Sequence, residues 1–203
     1  MAQEDEQKLV EFLISERNVC CVLEVLKHGD AIRRALLNRF WSRVRTHLGA
    51  TAPKGLATKV NWSASPLPQE TKSGFAWLEA RFPRFEDERQ CLCYRVEYER
   101  WPQGLDLYYG LHWRQETRRS TRSRSIKPVQ SLRQALDAND YKLSDQESWC
   151  GWRYVRRFND TDDFLSFFVE NPKFLLESIS EGLWPFVHRT IKHVERVNRS
   201  LSA

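Results

Sequence analysis

Glycine is scarce in this chain, with eight among 203 residues. Loops that cradle phosphate groups are built from closely spaced glycines, and neither a P-loop nor a G-x-G-x-x-G pattern is present. The G-x-S-x-G pattern of hydrolases and the H-E-x-x-H pattern of zinc proteases are missing as well. We therefore expect none of the common machinery for nucleotide binding or hydrolysis, and no cofactor is predicted.

Long apolar runs are also missing, since none approaches the roughly 18 residues that a membrane span needs. The opening MAQEDEQKLV carries acidic residues where a signal peptide would carry Lys or Arg. These two observations predict a cytoplasmic protein that neither spans nor is anchored in a membrane.

The cysteines do not form a framework of disulfides or of zinc ligands. They are odd in number: Cys20, Cys21, Cys91, Cys93 and Cys150. Structural zinc sites pair two Cys at C-x₂₋₄-C spacing with a second matching pair, and that second pair is missing. Free thiols in a reducing compartment are the favoured interpretation, with no metal bound.

Aromatic residues are plentiful instead, with eight Trp, eleven Phe and six Tyr against one Met. This is more indole than an average core requires, so we expect some of the rings to face a partner.

The apolar spacing predicts an α+β fold that begins with helices. Residues 4–28 form one helix or two short ones, and a second helix of residues 30–49 completes an N-terminal hairpin over residues 1–49. Residues 50–72 form a long loop that opens an α+β domain of residues 50–203, and the whole chain is expected to behave as one cooperative unit.

Alternating apolar and polar residues predict an antiparallel sheet of four or five strands. The segments with this pattern are 74–82, 91–100, 105–114 and 149–158. A short helix of residues 128–138 interrupts them, and C-terminal helices that pack on one face of the sheet follow a cap at Asn159 or Asp160. Pro185 predicts a kink or a new helix start.

Several aromatic runs carry a resemblance to a known family. Leu107-Tyr108-Tyr109-Gly110-Leu111, Trp149-Cys150-Gly151-Trp152-Arg153-Tyr154, the pair Asp163-Phe164 and a long closing helix resemble the C-terminal, non-nuclease part of bacterial proteins in the PD-(D/E)XK nuclease superfamily. The resemblance covers at most residues 75–200. It implies a sheet covered by helices, in a bacterial or phage-related protein of nucleic-acid metabolism or antiviral defence. The chain has no Asp followed at strand spacing by Glu-X-Lys, so no catalytic residue is carried over.

Carboxylates on the predicted strands are the nearest material for a magnesium-dependent nuclease. They are Glu79, Glu97, Glu99 and Asp106. Glu97 and Glu99 share one face of their strand. The favoured interpretation is that they lie on the solvated face of a half-exposed sheet, paired with arginines across it.

Basic residues concentrate in two stretches, 33–45 and 114–127, although the net charge is only +5. In the second stretch, RQETRRSTRSRSIK, arginines alternate with small hydroxyl residues, and both groups suit phosphate oxygens. Residues 149–158, WCGWRYVRRF, mix aromatic and basic side chains in a way that suits base stacking beside phosphate contacts. The alternatives are a solvated loop for the first stretch and a core strand with snorkelling arginines for the second.

These patterns favour a non-catalytic module that binds DNA or RNA. The residues predicted to contact the nucleic acid are Arg114, Arg118, Arg119, Arg122, Arg124, Lys127, Trp149, Trp152, Arg153, Arg156 and Arg157. One alternative is a protein-interaction subunit, such as an inhibitor or accessory factor, whose basic loop meets an acidic partner. Another is an unorthodox metal-dependent nuclease that uses the four carboxylates.

Overall fold

The computed structural model of this protein describes residues 2–62, 75–80, 82–83, 91–102, 104–114, 125–143 and 148–202. The chain divides into two compact units, Met1–Arg39 and Phe40–Ala203.

The N-terminal part of the chain is helical, as predicted. Helices α1 (Ala2–Ile14) and α2 (Val19–Lys27) lie in the first unit, and α3 (Gly29–Ala50) runs from the first unit into the second. His28 alone separates α2 from α3. Its amide N–H donates to the carbonyl of Glu24 in the last turn of α2, and its carbonyl accepts a hydrogen bond from the amide of Ile32 in the first turn of α3. Gly29 therefore begins a helix, where the sequence pattern had placed a helix end.

The second unit contains a five-stranded antiparallel sheet, so the predicted α+β class is confirmed. Its strands are β1 (Phe75–Glu79), β2 (Leu92–Trp101), β3 (Gly104–Trp113), β4 (Lys142–Leu143) and β5 (Trp149–Phe158). They lie in the order β1-β2-β3-β5-β4, and the short β4 forms an edge. Strands β1, β2 and β3 are adjacent in the sheet and consecutive along the chain, which is the pattern of a meander.

The helices described after β3 are α4 (Lys127–Asp137), α5 (Thr161–Glu170) and α6 (Pro172–Ser202). Asp160 caps α5 as predicted, since its carboxylate accepts a hydrogen bond from the amide of Asp163 at 2.8 Å. The prediction of a new helix start at Pro185 is wrong, because α6 continues through it as a single helix of 31 residues. Among the described residues, no helix combines the length and the apolar character needed to cross a bilayer.

Helix α6 packs on one face of the sheet, here called the helix face. The Tyr94 hydroxyl is 2.9 Å from that of Thr190, and the Tyr94 ring meets Phe186 edge to face at 5.8 Å. The carboxamide of Asn198 accepts hydrogen bonds from the amides of Cys91 and Leu92 and therefore satisfies backbone groups just before and at the start of β2. These contacts hold α6 against the first residues of β2.

The opposite surface of the sheet, here called the far face, is not the solvated surface that the alternation in β2 predicted. Arg95 is 8% exposed and Glu97 is 4% exposed, although both alternate with the apolar residues of the helix face. Both faces of β2 are buried from Leu92 to Tyr98. Buried charges on a sheet are normally paired, and their partners define the site described next.

Candidate functional site

A pocket rich in aromatic side chains lies on the far face and encloses about 420 Å³. We call it the aromatic pocket. Its aromatic wall is formed by Trp77, Trp101, Tyr108, Trp149, Trp152 and Tyr154, and its polar lining includes Arg95, Glu97, Glu99 and His112. Pockets of 300–1,000 Å³ with an apolar wall and a few convergent polar groups are typical of ligand sites.

Strand pairing explains how residues distant in the sequence line one pocket. Trp77 of β1 lies opposite Glu97 of β2, and Glu97 lies opposite Tyr108 of β3. Tyr108 in turn lies opposite Tyr154 of β5. Four neighbouring strands thus place these side chains in a row across the far face, because directly opposed residues point to the same side of a sheet.

The floor of the pocket is a network of ion pairs centred on the buried Arg95. Its Nη1 donates to Glu97 Oε2 at 3.0 Å, and its Nε donates to Glu79 Oε1 at 3.1 Å. Glu79 also pairs with Arg114, whose Nε lies 3.3 Å from Glu79 Oε2. Two carboxylates and two guanidinium groups therefore neutralise one another beneath the pocket.

The protonation equilibria of this network follow from burial and charge. Burial raises the pKa of Glu97 above its ordinary value, against the opposing effect of Arg95 and of the Tyr108 hydroxyl. Burial alone would lower the pKa of Arg95, but Glu79, Cys93 and Glu97 outweigh it and raise that pKa.

Two indole rings contact the Arg95 guanidinium. Its central carbon lies 4.6 Å from the ring centre of Trp77 and 5.9 Å from that of Trp149. Cation–π contacts of this kind are stronger where water is excluded. The indoles and the ion pairs together leave Arg95 little freedom, so the pocket floor is preorganised.

Tyr108 connects the floor to the side of the pocket. Its hydroxyl donates to Glu97 Oε1 at 2.7 Å and lies 3.2 Å from Glu99 Oε2. Burial, followed by the nearby charge of Glu97, raises the pKa of Tyr108, so the hydroxyl keeps its proton. Glu97 is thus held by two donors, and Glu99 is held near the same hydroxyl.

Glu79, Cys93 and His112 could each offer one ligand atom to a metal ion, and these three atoms lie within 4.8 Å of one another. The surroundings of the group do not favour a cation. Arg95 and Arg114 both bind the Glu79 carboxylate, and their positive charges would repel a metal. Burial raises the pKa of the Cys93 thiol well above its ordinary value, which opposes the thiolate that a metal needs. We interpret the group as part of the ion-pair network.

Two cations flank the rim of the pocket at Tyr154. The Lys142 ammonium lies 4.5 Å from the centre of the Tyr154 ring, and the Arg157 guanidinium lies 4.2 Å from it. The Arg157 side chain is 63% exposed and pairs with Asp106 at 3.2 Å. Trp101 contributes an indole that is 54% exposed at the pocket. The rim therefore combines accessible positive charge with an accessible aromatic surface.

Only some of the β5 residues predicted to contact nucleic acid lie at the aromatic pocket. Trp149 and Trp152 line the pocket, and Arg157 lies at its rim. Arg153 stacks instead on Tyr141, at 4.7 Å, and Arg156 stacks on Phe167, at 3.9 Å.

The strict alternation predicted for this strand is wrong, because register shifts interrupt the pairing of β3 with β5. One shift leaves Val155 without an opposite residue, since Leu107 pairs with Arg156 and Tyr108 with Tyr154. Arg157 consequently shares a side with Tyr154, and Arg156 does not.

The predicted basic stretch is described only at its ends. Arg114 belongs to the ion-pair network beneath the pocket, and Lys127 is exposed at the start of α4. The predicted contact residues Arg118, Arg119, Arg122 and Arg124 lie outside the described residues.

Sequence reasoning missed Trp77, Trp101, Tyr108 and His112 as site residues. The alternation in β2 did place Glu97 and Glu99 on one side, and that side is the one that holds the pocket. The missing signal was the register of the neighbouring strands, which decides which aromatic residues stand beside these charges.

The fold and the site together define an α+β domain that carries an aromatic binding pocket over a charge-balanced floor. No protein-family model, curated protein or solved structure matches the chain. The resemblance to the PD-(D/E)XK superfamily therefore stays a prediction, together with the bacterial or phage-related setting that it implies.

Proposed function

We propose that this protein is a non-catalytic module that binds single-stranded nucleic acid, with one unstacked base in the aromatic pocket. The observation that carries the proposal is the set of four Trp and two Tyr side chains around a space of about 420 Å³. Bases of a single strand stack readily on aromatic side chains, and every base has a face that can do so.

The charges around the pocket support a nucleotide over an acidic protein surface. Lys142 and Arg157 at the rim suit the phosphates on either side of a bound base. The Glu99 carboxylate in the pocket lining would repel a carboxylate of an acidic partner, whereas N–H groups on the edge of a base can donate to a carboxylate.

The positions of the carboxylates support binding over nuclease chemistry. Glu97 is engaged by Arg95 and by Tyr108, and Asp106 pairs with Arg157. A magnesium site needs several carboxylate oxygens directed at one ion, and these oxygens are already directed at cations and a hydroxyl.

The first test is the affinity for fluorescently labelled single-stranded DNA and RNA, measured by anisotropy. Trp101→Ala should weaken binding about 5- to 150-fold, which corresponds to the roughly 1–3 kcal/mol of one stacked base. Phe174→Ala is the matched control, because Phe174 is 58% exposed in α6 and does not line the pocket. Equal affinities for wild type and Trp101→Ala would show that Trp101 does not contact the nucleic acid. Failure to bind either DNA or RNA would refute the proposed nucleic-acid-binding function.

The second test is the dependence of affinity on salt. If Lys142 and Arg157 each neutralise one phosphate, the double variant Lys142→Ala/Arg157→Ala should lower the slope of log affinity against log salt by about 1.4, at about 0.7 per phosphate on a single strand. An unchanged slope would show that these two cations do not contact phosphate.

A further inference from the structure

We infer that the first unit, Met1–Arg39, is a dimerisation element whose apolar surface pairs with the same surface of a second copy of this chain. The inference does not depend on the proposed function, since it concerns α1, α2 and the start of α3. It rests on the exposure of apolar side chains in these helices, on the area that they present and on the distribution of charge among them.

The first unit has almost no interior of its own. Among residues 7–39, whose side chains the structure describes, Leu37 alone is buried. Helices α1 and α2 have 13 and 9 residues, and helices shorter than about 12–15 residues are marginal in water without tertiary packing. The large apolar side chains of this unit that are 52–69% exposed are Leu9, Phe12, Ile14, Leu23, Val25 and Leu26.

The spacing of these residues forms apolar stripes on the helices. Val22, Leu23 and Leu26 of α2 lie three and four residues apart, and Leu9 and Phe12 of α1 lie three residues apart. Residues at this spacing share one side of a helix, and such a side normally packs against another element. The stripes therefore define a surface that a second set of helices can cover.

The area of this surface is sufficient for a stable pair. At about 100 Å² for each of the six side chains, the surface offers about 600 Å² of apolar area. A standard interface buries about 800 Å² on each partner, of which about 60% is apolar. The first unit thus presents the apolar area that one side of such an interface requires.

The charges of the first unit favour a second copy as the occupant. Acidic and basic residues of Met1–Arg39 are almost equal in number, so two copies do not repel each other through net charge. The sequence of α1 has four acidic residues and one Lys, whereas the part of α3 in this unit has three Arg and one Asp. A two-fold axis brings the same patch of both copies together, so the acidic helix of each copy can meet the basic helix of the other. The acidic residues of α1 disfavour an anionic membrane surface as the alternative.

Analytical ultracentrifugation of the full chain tests this inference. The wild type should sediment as a dimer, at twice the 24.1 kDa of one chain, in the micromolar range. Leu26→Glu should raise the dissociation constant of the dimer about 100-fold or more, because each dimer carries the change twice and each loss of a buried Leu costs about tenfold or more. Leu26 is exposed within one chain, so the circular dichroism of the variant should show that its helices remain folded.

Val169→Glu is the matched control, because Val169 is an exposed apolar residue of α5, outside the first unit. It should leave the dissociation constant unchanged. A wild type that stays monomeric throughout the micromolar range would overturn the inference, and so would a dimer that Leu26→Glu does not weaken, since that dimer uses another surface. A mass that grows steadily with concentration would overturn it as well, because a two-fold pair is closed and adds no third copy.

Discussion

Replacing Arg95 with Met should destabilise the second unit strongly, because it leaves the buried carboxylate of Glu97 without its counter-ion. Glu97 is 4% exposed and would keep the hydrogen bond from the Tyr108 hydroxyl, while Glu79 would keep its ion pair with Arg114. Removing one partner of a buried ion pair costs about 3–5 kcal/mol. For a chain of this size, each kcal/mol lowers the melting temperature by about 2–4 °C, so we expect a decrease of about 6–20 °C.

Arg157→Met provides a matched control for this prediction. It removes the same side chain from an ion pair with Asp106, but the Arg157 side chain is 63% exposed. An exposed pair is screened by water and contributes little to stability, so its loss should lower the melting temperature by no more than about 4 °C. Tryptophan fluorescence during urea or thermal unfolding is a suitable assay, because all eight Trp lie in the second unit.

The cost of Arg95→Met should also depend on pH. The pKa of Glu97 is raised in the folded protein, so the folded state holds this proton more tightly than the unfolded chain does. The stability that this proton supplies is complete below the ordinary Glu pKa and is lost as the pH rises through the folded value. Without Arg95, which lowers the Glu97 pKa, the folded value rises further, and more stability is lost at neutral pH. The difference from wild type should therefore shrink as the pH falls from neutral toward the ordinary pKa of a Glu side chain.

Two results would refute this reasoning. The first is a melting temperature of Arg95→Met no lower than that of Arg157→Met at neutral pH, which would mean that water reaches the floor of the pocket. The second is a difference from wild type that grows as the pH falls, which would mean that Glu97 is not the group left without its counter-ion.

Two further predictions test the strand packing and the thiols. Gly110→Ala should destabilise the protein by about 1–3 kcal/mol, because the added Cβ would lie 2.8 Å from the Trp152 backbone. Gly29→Ala is the control and should cause no such loss, because its added Cβ meets nothing within 4 Å. Thermal unfolding followed by circular dichroism measures the stability of both variants, and equal losses would contradict the packing. In the folded protein, only the exposed Cys20 and Cys21 should react quickly with a thiol reagent, and the three buried cysteines should react after unfolding in urea. Rapid reaction of more than two thiols would show that a buried cysteine is accessible.

The elements of the fold were largely predictable, and the site was not. The alternation of residues 91–100 predicted β2 within one residue at each end, and the Asp160 cap predicted the start of α5. The same alternation placed Glu97 and Glu99 on one side, but it also predicted that this side is solvated. Alternation shows that two sets of side chains point in opposite directions, and it does not show what covers each set.

The basic residues illustrate a second limit. WCGWRYVRRF predicted a mixed aromatic and basic strand, which β5 is, yet its arginines separate onto different sides. A one-residue shift in the pairing of β5 with β3, opposite Leu107 and Tyr108, produces this separation. Nothing in the composition of β5 specifies that shift.

Local periodicity, caps and turn residues determined the α+β class, because these features act between residues close together in the chain. The tertiary structure alone decided that Trp77 and Trp149 contact the Arg95 guanidinium, since that depends on the pairing of strands separated by loops and a helix. It also decided that the charges of β2 are buried and balanced. A carboxylate has the same local sequence whether it faces water or an arginine, and only the packing around it determines which of the two it meets.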